Sequence, residues 1–173
     1  MLRERGLTAT FFVVGTQLRE HRALAERARD EGHRVGNHTL THPRPLGALG
    51  ERARAEIEDM QALMGDLGRE RLFRPSGKGG DLEPDLLNDV AIQTLTAGGY
   101  TCVLWNAVPR DWEDEHGWVD RALREVASRD WTLLVLHDVA GAAAARLEDF
   151  LDRVDATIRA DYPPDRVPIQ GGV

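Results

Sequence analysis

Thr8-Ala9-Thr10-Phe11-Phe12-Val13-Val14-Gly15, a charge-rich segment running to Gly32, and then Arg34-Val35-Gly36 form the stretch that decides the fold. The first run is β-branched and aromatic and stops at a glycine, the pattern of a buried strand. Thr16 can cap a helix reaching about Asp30, with Leu18, Leu24 and Ala28 on one face and Gly32 as its stop. Arg34-Val35-Gly36 then reads as a second, brief strand. A strand, a helix and another strand in this order are the repeating unit of a parallel sheet.

The same alternation continues outward. A long helix is expected from about Leu49 to Leu67, with Ile57, Met60, Leu63, Met64 and Leu67 at helical spacing. Leu72-Phe73 is a short strand. Pro84 opens a further helix that stops at Gly98-Gly99, since proline suits a first turn and glycine an exit. Tyr100 to Trp105 is a strand and Val119 to Ala127 a helix. Trp131 to Leu136 is an unbroken apolar run, the pattern of a strand buried on both faces. The last helix, about Ala142 to Arg159, sets Leu147, Phe150, Leu151, Val154 and Ile158 on one stripe, and its alanine run favours helix. The proline-rich tail from Tyr162 to Pro168 cannot be regular helix and is expected to wrap the surface. No linker or repeat interrupts the pattern, so one α/β domain over residues 1–173 is expected, with parallel strands in a barrel or an open sheet.

Composition narrows the function. At 173 residues, 42% hydrophobic and 29% charged, the chain can build a sizeable core. Its net charge of -7, with arginines scattered along the sequence, offers no basic stripe for a nucleic-acid backbone. The single cysteine, Cys102, lies in an apolar run and reads as a small core residue; one cysteine excludes an internal disulfide and a CxxC metal site. No apolar run approaches the ~20 residues of a membrane span. Met1 to Gly6 lacks the apolar core of a secretory signal, so the chain as written carries no export address; it reads as cytoplasmic as written and as exported if the true N-terminus lies upstream, which leaves its location open.

The unusual polar residues fall where strands end. His38 and His42 follow Val35, Arg74 follows Phe73, Asp111 and Trp112 follow the strand ending at Trp105, and His137-Asp138 closes the run ending at Leu136. In parallel α/β folds these carboxyl ends share one face, where active sites are built. Four-residue spacing on a helical turn would put the imidazoles of His38 and His42 on one side, close enough to share a metal ion. Paired surface or capping histidines give the same spacing. Arg74 before Pro75 fits a salt-bridged loop as well as a site, and Asp111 and Trp112 fit a turn cap and a core residue. His137 at the end of a buried strand is harder to place without polar partners. His21 and His116 sit in polar surroundings and read as solvated; His33 is expected to pack or hydrogen-bond near the second strand.

Taken together, these segments resemble the polysaccharide deacetylase family, the NodB-homology domain of carbohydrate esterase family four. The resemblance rests on Ala9 to Gly15, Gly32-His33-Arg34-Val35-Gly36-Asn37-His38-Thr39-Leu40-Thr41-His42-Pro43, Phe73-Arg74-Pro75, Trp105 to Trp112 and Leu134-Val135-Leu136-His137-Asp138, in family order. It implies a distorted (β/α)7 barrel and metal-dependent hydrolysis of acetamido groups on N-acetylated carbohydrate. In the family, the histidines matching His38 and His42 ligate zinc (or another divalent transition metal) with an aspartate from a preceding Thr-Phe-Asp-Asp segment, whose other aspartate is the base. Arg74 matches the arginine that orients that base. His137 matches the acid that protonates the leaving amine, and Asp111 its acidic partner. Trp112 and Val135 match the walls of the acetyl pocket, with valine where leucine is usual.

Three departures from the family pattern stand out. The Thr-Phe-Asp-Asp strand is absent, and no other segment places two adjacent aspartates at a strand end. Val108 stands where the family often has aspartate. Arg74-Pro75-Ser76-Gly77 replaces the commoner arginine-proline-proline loop, which would reshape the substrate rim. The expectation is an N-terminally incomplete domain, with Met1 an internal methionine and any signal lying upstream, and weak or no turnover from these residues alone. A barrel lacking its first strand leaves an open seam that invites self-association. Two alternatives remain: a carbohydrate-binding or scaffold remnant of the same fold, and a related hydrolase acting on esters or cyclic amides.

Overall fold

Thr10–Val13 forms β1, Arg34–Asn37 β2, Leu72–Phe73 β3 and Thr101–Cys102 β4 in a computed structural model that describes every residue from Met1 to Val173. The four strands lie in the order β1-β2-β3-β4 and every pairing is parallel, with Thr10 opposite Arg34, Asn37 opposite Phe73 and Leu72 opposite Thr101. The intervening helices are α1 (Gly15–Asp30), α2 (Arg52–Met64) and α3 (Asp89–Ala97). Parallel neighbours demand such crossovers, so the alternation read from sequence is the architecture. No helix is long and apolar enough to cross a membrane.

The chain divides into two units, Leu2–Leu104 with Pro164–Val173, and Trp105–Pro163 with Met1. In the first, Leu18 and Ala25 of α1, Val35 of β2, and Met60, Met64 and Leu67 close a core against which Val13, Leu40 and Leu63 pack. Each buried leucine, valine or methionine of this core contributes about 1.5–3 kcal/mol. Gly36 is required here: a Cβ on it would stand 2.6 Å from the Phe12 ring. β1 is an edge strand of the sheet. Beside β4 the tail turns once through Pro164–Arg166 and then runs antiparallel, the N–H of Cys102 donating to Ile169 O (2.8 Å) and that of Gly172 to Tyr100 O (2.9 Å).

Cys102 is completely buried between these strands, and desolvation pushes its thiol up to about 12. Because the thiolate is the reactive species, the folded protein should not react with a thiol reagent at neutral pH. One equivalent should be titrated on unfolding, and labelling of the native protein would contradict the burial.

Several expected boundaries shift for local reasons. α1 starts at Gly15, one residue before Thr16, and Val14 caps it without a side-chain bond. The helix is broken at His21 (φ -126°, ψ 30°), which turns the following residues, so Leu24 is 63% exposed while Ala25 faces the core. α2 is shorter than Leu49 to Leu67 because left-handed Gly50 and Gly65 interrupt it, leaving the separate 3-10 turns Leu46–Leu49 and Gly65–Gly68 on either side. The helix expected from Pro84 starts at Asp89, where the Asn88 side chain accepts the N–H of Ala91 (2.8 Å) and supplies a stronger cap than proline can. The strand expected over Tyr100 to Trp105 is reduced to β4.

In the second unit, α4 (Trp118–Ala127) and α5 (Leu147–Arg153) pack around Trp118, Val119, Ala122, Ala143 and Phe150, with the rings of Trp118 and Phe150 5.7 Å apart. The apolar run Trp131 to Leu136 is not a ladder strand, and its residues are half-buried. A single parallel bridge joins Leu134 to Ala107. The Asn106 side chain takes the ladder's place, accepting the N–H of Leu133 (2.8 Å) and donating to Trp131 O (3.1 Å). The last helix is confined to α5: Gly141 is left-handed, Ala143–Ala145 forms a 3-10 turn, and Val154 is extended, leaving Ile158 exposed.

Candidate functional site

His38 and His42 leave β2 on an irregular turn, which corrects the helical placement read from their spacing. Thr39 (φ 69°) and His42 (φ 59°) are left-handed, a conformation incompatible with a helical turn. The rings still meet, edge to face with centroids 4.8 Å apart. The turn is fixed from both sides. The N–H groups of Gly15 and Thr16, at the start of α1, donate to Thr39 O (3.0 Å) and Leu40 O (2.9 Å). From α2, Glu56 accepts the Thr41 N–H (2.8 Å) and hydroxyl (2.7 Å) on its carboxylate, while its backbone oxygen accepts the Leu40 N–H (3.1 Å). Buried Asn37 donates to Ile57 O (2.9 Å) and accepts the Thr39 N–H (2.9 Å), and the Thr39 hydroxyl accepts the His42 N–H (3.1 Å). Neighbouring backbone and side chains thus hold a strained turn in one shape.

The two imidazoles differ in preparation. His38 Nδ1 is 2.9 Å from Arg74 O, an acceptor only, so Nδ1 carries the proton and Nε2 presents the lone pair. His42 Nδ1 instead accepts from Arg44 Nε at 3.3 Å. Ligation through His42 Nε2 therefore requires Arg44 to withdraw. Arg74, itself 8% exposed, donates from its guanidinium to Val103 O (3.2 Å) and Leu104 O (3.4 Å) and lies 4.2 Å over the Phe12 ring. It ties the end of β3 to the residues following β4, and its own carbonyl sets the His38 tautomer.

The second unit brings Asp111, Trp112 and His137 together. Asp111 is completely buried and accepts three hydrogen bonds: from His137 Nδ1 (2.9 Å), the His137 N–H (2.8 Å) and the Ala143 N–H (3.2 Å). A carboxylate only accepts, so His137 is protonated on Nδ1 and offers Nε2 outward; the ring remains about one third exposed, at 37%. Trp112, 43% exposed, stands edge-on to that ring with centroids 4.5 Å apart. Val135 is half-buried, its N–H donating to Ala107 O (2.9 Å). Of the other histidines, His33 is buried and accepts the Ala9 N–H (3.3 Å), while His21 and His116 are exposed.

A catalytic zinc takes three protein ligands. His38 and His42 fit a divalent transition metal as two of them, and no group of three His, Cys, Asp or Glu side chains surrounds a metal position. Glu56 and Asn106 escaped the sequence reading because their partners lie far away in the chain, and the bond of Asn37 to Ile57 O is hidden for the same reason.

The family model described as polysaccharide deacetylase matches residues 1–103. A peptidoglycan-N-acetylglucosamine deacetylase from Bacillus cereus is 30% identical over 143 residues, covering 80% of this chain and 63% of its own length. A chitooligosaccharide deacetylase from Azorhizobium caulinodans is 27% identical over 144 residues, with 80% and 64% covered. The chain thus spans a little under two thirds of these relatives. A family 4 carbohydrate esterase from Streptomyces lividans, solved in complex with acetate, superimposes with a TM-score of 0.65 at 28% identity, covering 87% of this chain and 77% of that one.

Proposed function

We propose that this chain, which belongs to the polysaccharide deacetylase family, serves the hydrolysis of acetamido groups on N-acetylated carbohydrate, releasing acetate and a free amine. The observation that carries the reading is the Asp111–His137 pair. An amine is expelled from an amide only if it receives a proton, and a histidine fixed by a carboxylate is suited to give one. With Nδ1 committed to Asp111 at 2.9 Å, Nε2 is the atom that delivers it. The buried Asp111 carboxylate supports the positive charge His137 must carry before transfer. Trp112, beside His137, and Val135 serve as walls against the acetyl methyl.

His38 and His42 would hold the metal, zinc or another divalent transition metal. A metal held by these two side chains would supply Lewis acidity for the amide carbonyl and for activation of water. By accepting from Nδ1, the Arg74 carbonyl selects the tautomer of the neutral His38 ring in which Nε2 would face a metal. With two metal ligands grouped and no aspartate pair to act as base, turnover from these 173 residues alone is expected to be weak. That same observation favours a second reading, a carbohydrate-binding relative that has lost the chemistry.

The test is hydrolysis of three substrates by the zinc-supplied protein, read as acetate release from an N-acetylglucosamine oligomer and from an acetylated xylan, and as ring opening of a cyclic ureide. Acetate from the oligomer supports the deacetylase reading. Turnover of the xylan or ureide alone assigns an esterase or cyclic amidase, and binding of the oligomer without turnover assigns the second reading.

A further inference from the structure

Arg121, on α4, makes contacts that the site as described does not use. Its Nε donates to Pro109 O (2.8 Å), Nη2 to Arg110 O (3.4 Å) and Nη1 to Asp114 Oδ2 (2.8 Å). One planar guanidinium therefore grips three acceptors of the loop that carries Asp111 and Trp112. The grip falls on a strained position. Arg110 is left-handed (φ 57°), unfavourable for a residue with a side chain, and it directly precedes Asp111. Such strain persists only where its surroundings fix it, and it concentrates at functional sites. The Arg110 carbonyl accepts from Arg121 and from the Glu113 N–H (3.1 Å), which closes the turn.

The far end of the grip is itself anchored. Asp114 Oδ1 accepts the N–H groups of His116 (3.2 Å) and Gly117 (2.9 Å) at the start of α4. The Arg121 hydrogen bond, with that of the Gly117 N–H, lowers the Asp114 carboxyl from 3.8 to about 2. The sign follows: this carboxylate stabilises the fold fully above pH 3.8, and the contribution is lost as pH falls toward 2. Gly117 is where the clamp is tightest. A Cβ there would stand 2.2 Å from Asp114 Oδ2 and 3.0 Å from Arg121 Nη1.

We propose that Arg121 is a positioning residue, which holds the strained Arg110 turn so that the Asp111 carboxylate meets His137. The role needs the fork of a guanidinium, since an ammonium cannot reach three acceptors spread across a loop. The proposal rests on the acid role given to His137, and its test does not depend on turnover.

The measurement is NMR of the His137 ring in the full chain, reading the nitrogen shifts and the exchange of the Nδ1 proton with water. The native protein should show a protected proton on Nδ1. In Arg121→Lys and Arg121→Gln alike, that proton should exchange about tenfold faster and the nitrogen shifts should move toward a mixture of tautomers. Backbone spectra of α4 and α5 should stay native. Gly117→Ala, whose φ of -88° accepts alanine, should do the same without altering a charge, and it decides the matter should Arg121→Lys not fold. A native signal in Arg121→Lys would overturn the fork, and a native signal in a folded Gly117→Ala would overturn the clamp. Absence of the Nδ1 proton signal in the unsubstituted protein would instead overturn the acid reading of His137.

Discussion

Asp111→Asn is expected to lower amide turnover by about 10²–10⁴-fold while leaving the fold intact. The reason is donor and acceptor bookkeeping at a buried position. Asp111 faces three donors, two backbone N–H groups and His137 Nδ1. An amide has one oxygen. If that oxygen serves the two N–H groups, the amide nitrogen faces His137 Nδ1 and forces the proton onto Nε2. If it serves Nδ1, two N–H groups meet another donor. The first arrangement is cheaper, so the ring takes the wrong tautomer and loses the charge that supported its protonated form. Stability should fall by about 1–3 kcal/mol for the imperfectly met buried groups. A kcat within twofold of that of the unsubstituted protein, with the Nδ1 tautomer preserved, would contradict the role proposed for Asp111.

His38→Ala should remove metal retention and turnover together. Removing only an outer partner of a metal-ligating histidine costs ~10–100-fold in affinity, and deleting one of two grouped ligands should cost more. His38 is half-buried and the turn is carried by Asn37, Thr39 and Glu56, so the thermal midpoint should hardly move. His21→Ala, at an exposed histidine outside the turn, is the control and should retain the metal. Equilibrium dialysis followed by elemental analysis reads the first effect, and acetate release the second. Unchanged turnover in His38→Ala would refute the metal pair.

The parallel sheet was legible because its signal is local. The apolar run of β1, the glycine exits and the amphipathic spacing of α2 report burial directly. His38, His42, Arg74, Asp111, Trp112 and His137 stood out in the sequence because they follow apolar runs, and the structure brings the ring of His38 to that of His42 and both Asp111 and Trp112 to His137. What stayed hidden depends on contacts distant in sequence. Trp131 to Leu136 has the composition of a strand, yet Asn106 supplies by side chain the bonds a neighbouring strand would have made. The alanine run favours helix by propensity, but the Ala143 N–H is taken by the distant Asp111 carboxylate and the run forms only a 3-10 turn. The left-handed Thr39 and His42 follow from the grip of α1 and α2 on their turn, which four-residue spacing cannot reveal. Arg121 reads as an ordinary helix arginine until the loop before α4 folds over it.

The most direct measurement compares leaving groups. His137→Ala in the zinc-supplied protein should be assayed on an N-acetylglucosamine oligomer and on an activated aryl acetate. An amine cannot depart unprotonated, whereas an activated phenolate can, so a general acid matters only for the first. The expected result is a loss of about 10²–10⁴-fold on the oligomer with most of the aryl acetate activity kept. An equal loss on both substrates would contradict the assignment of His137 as the proton donor to the leaving amine.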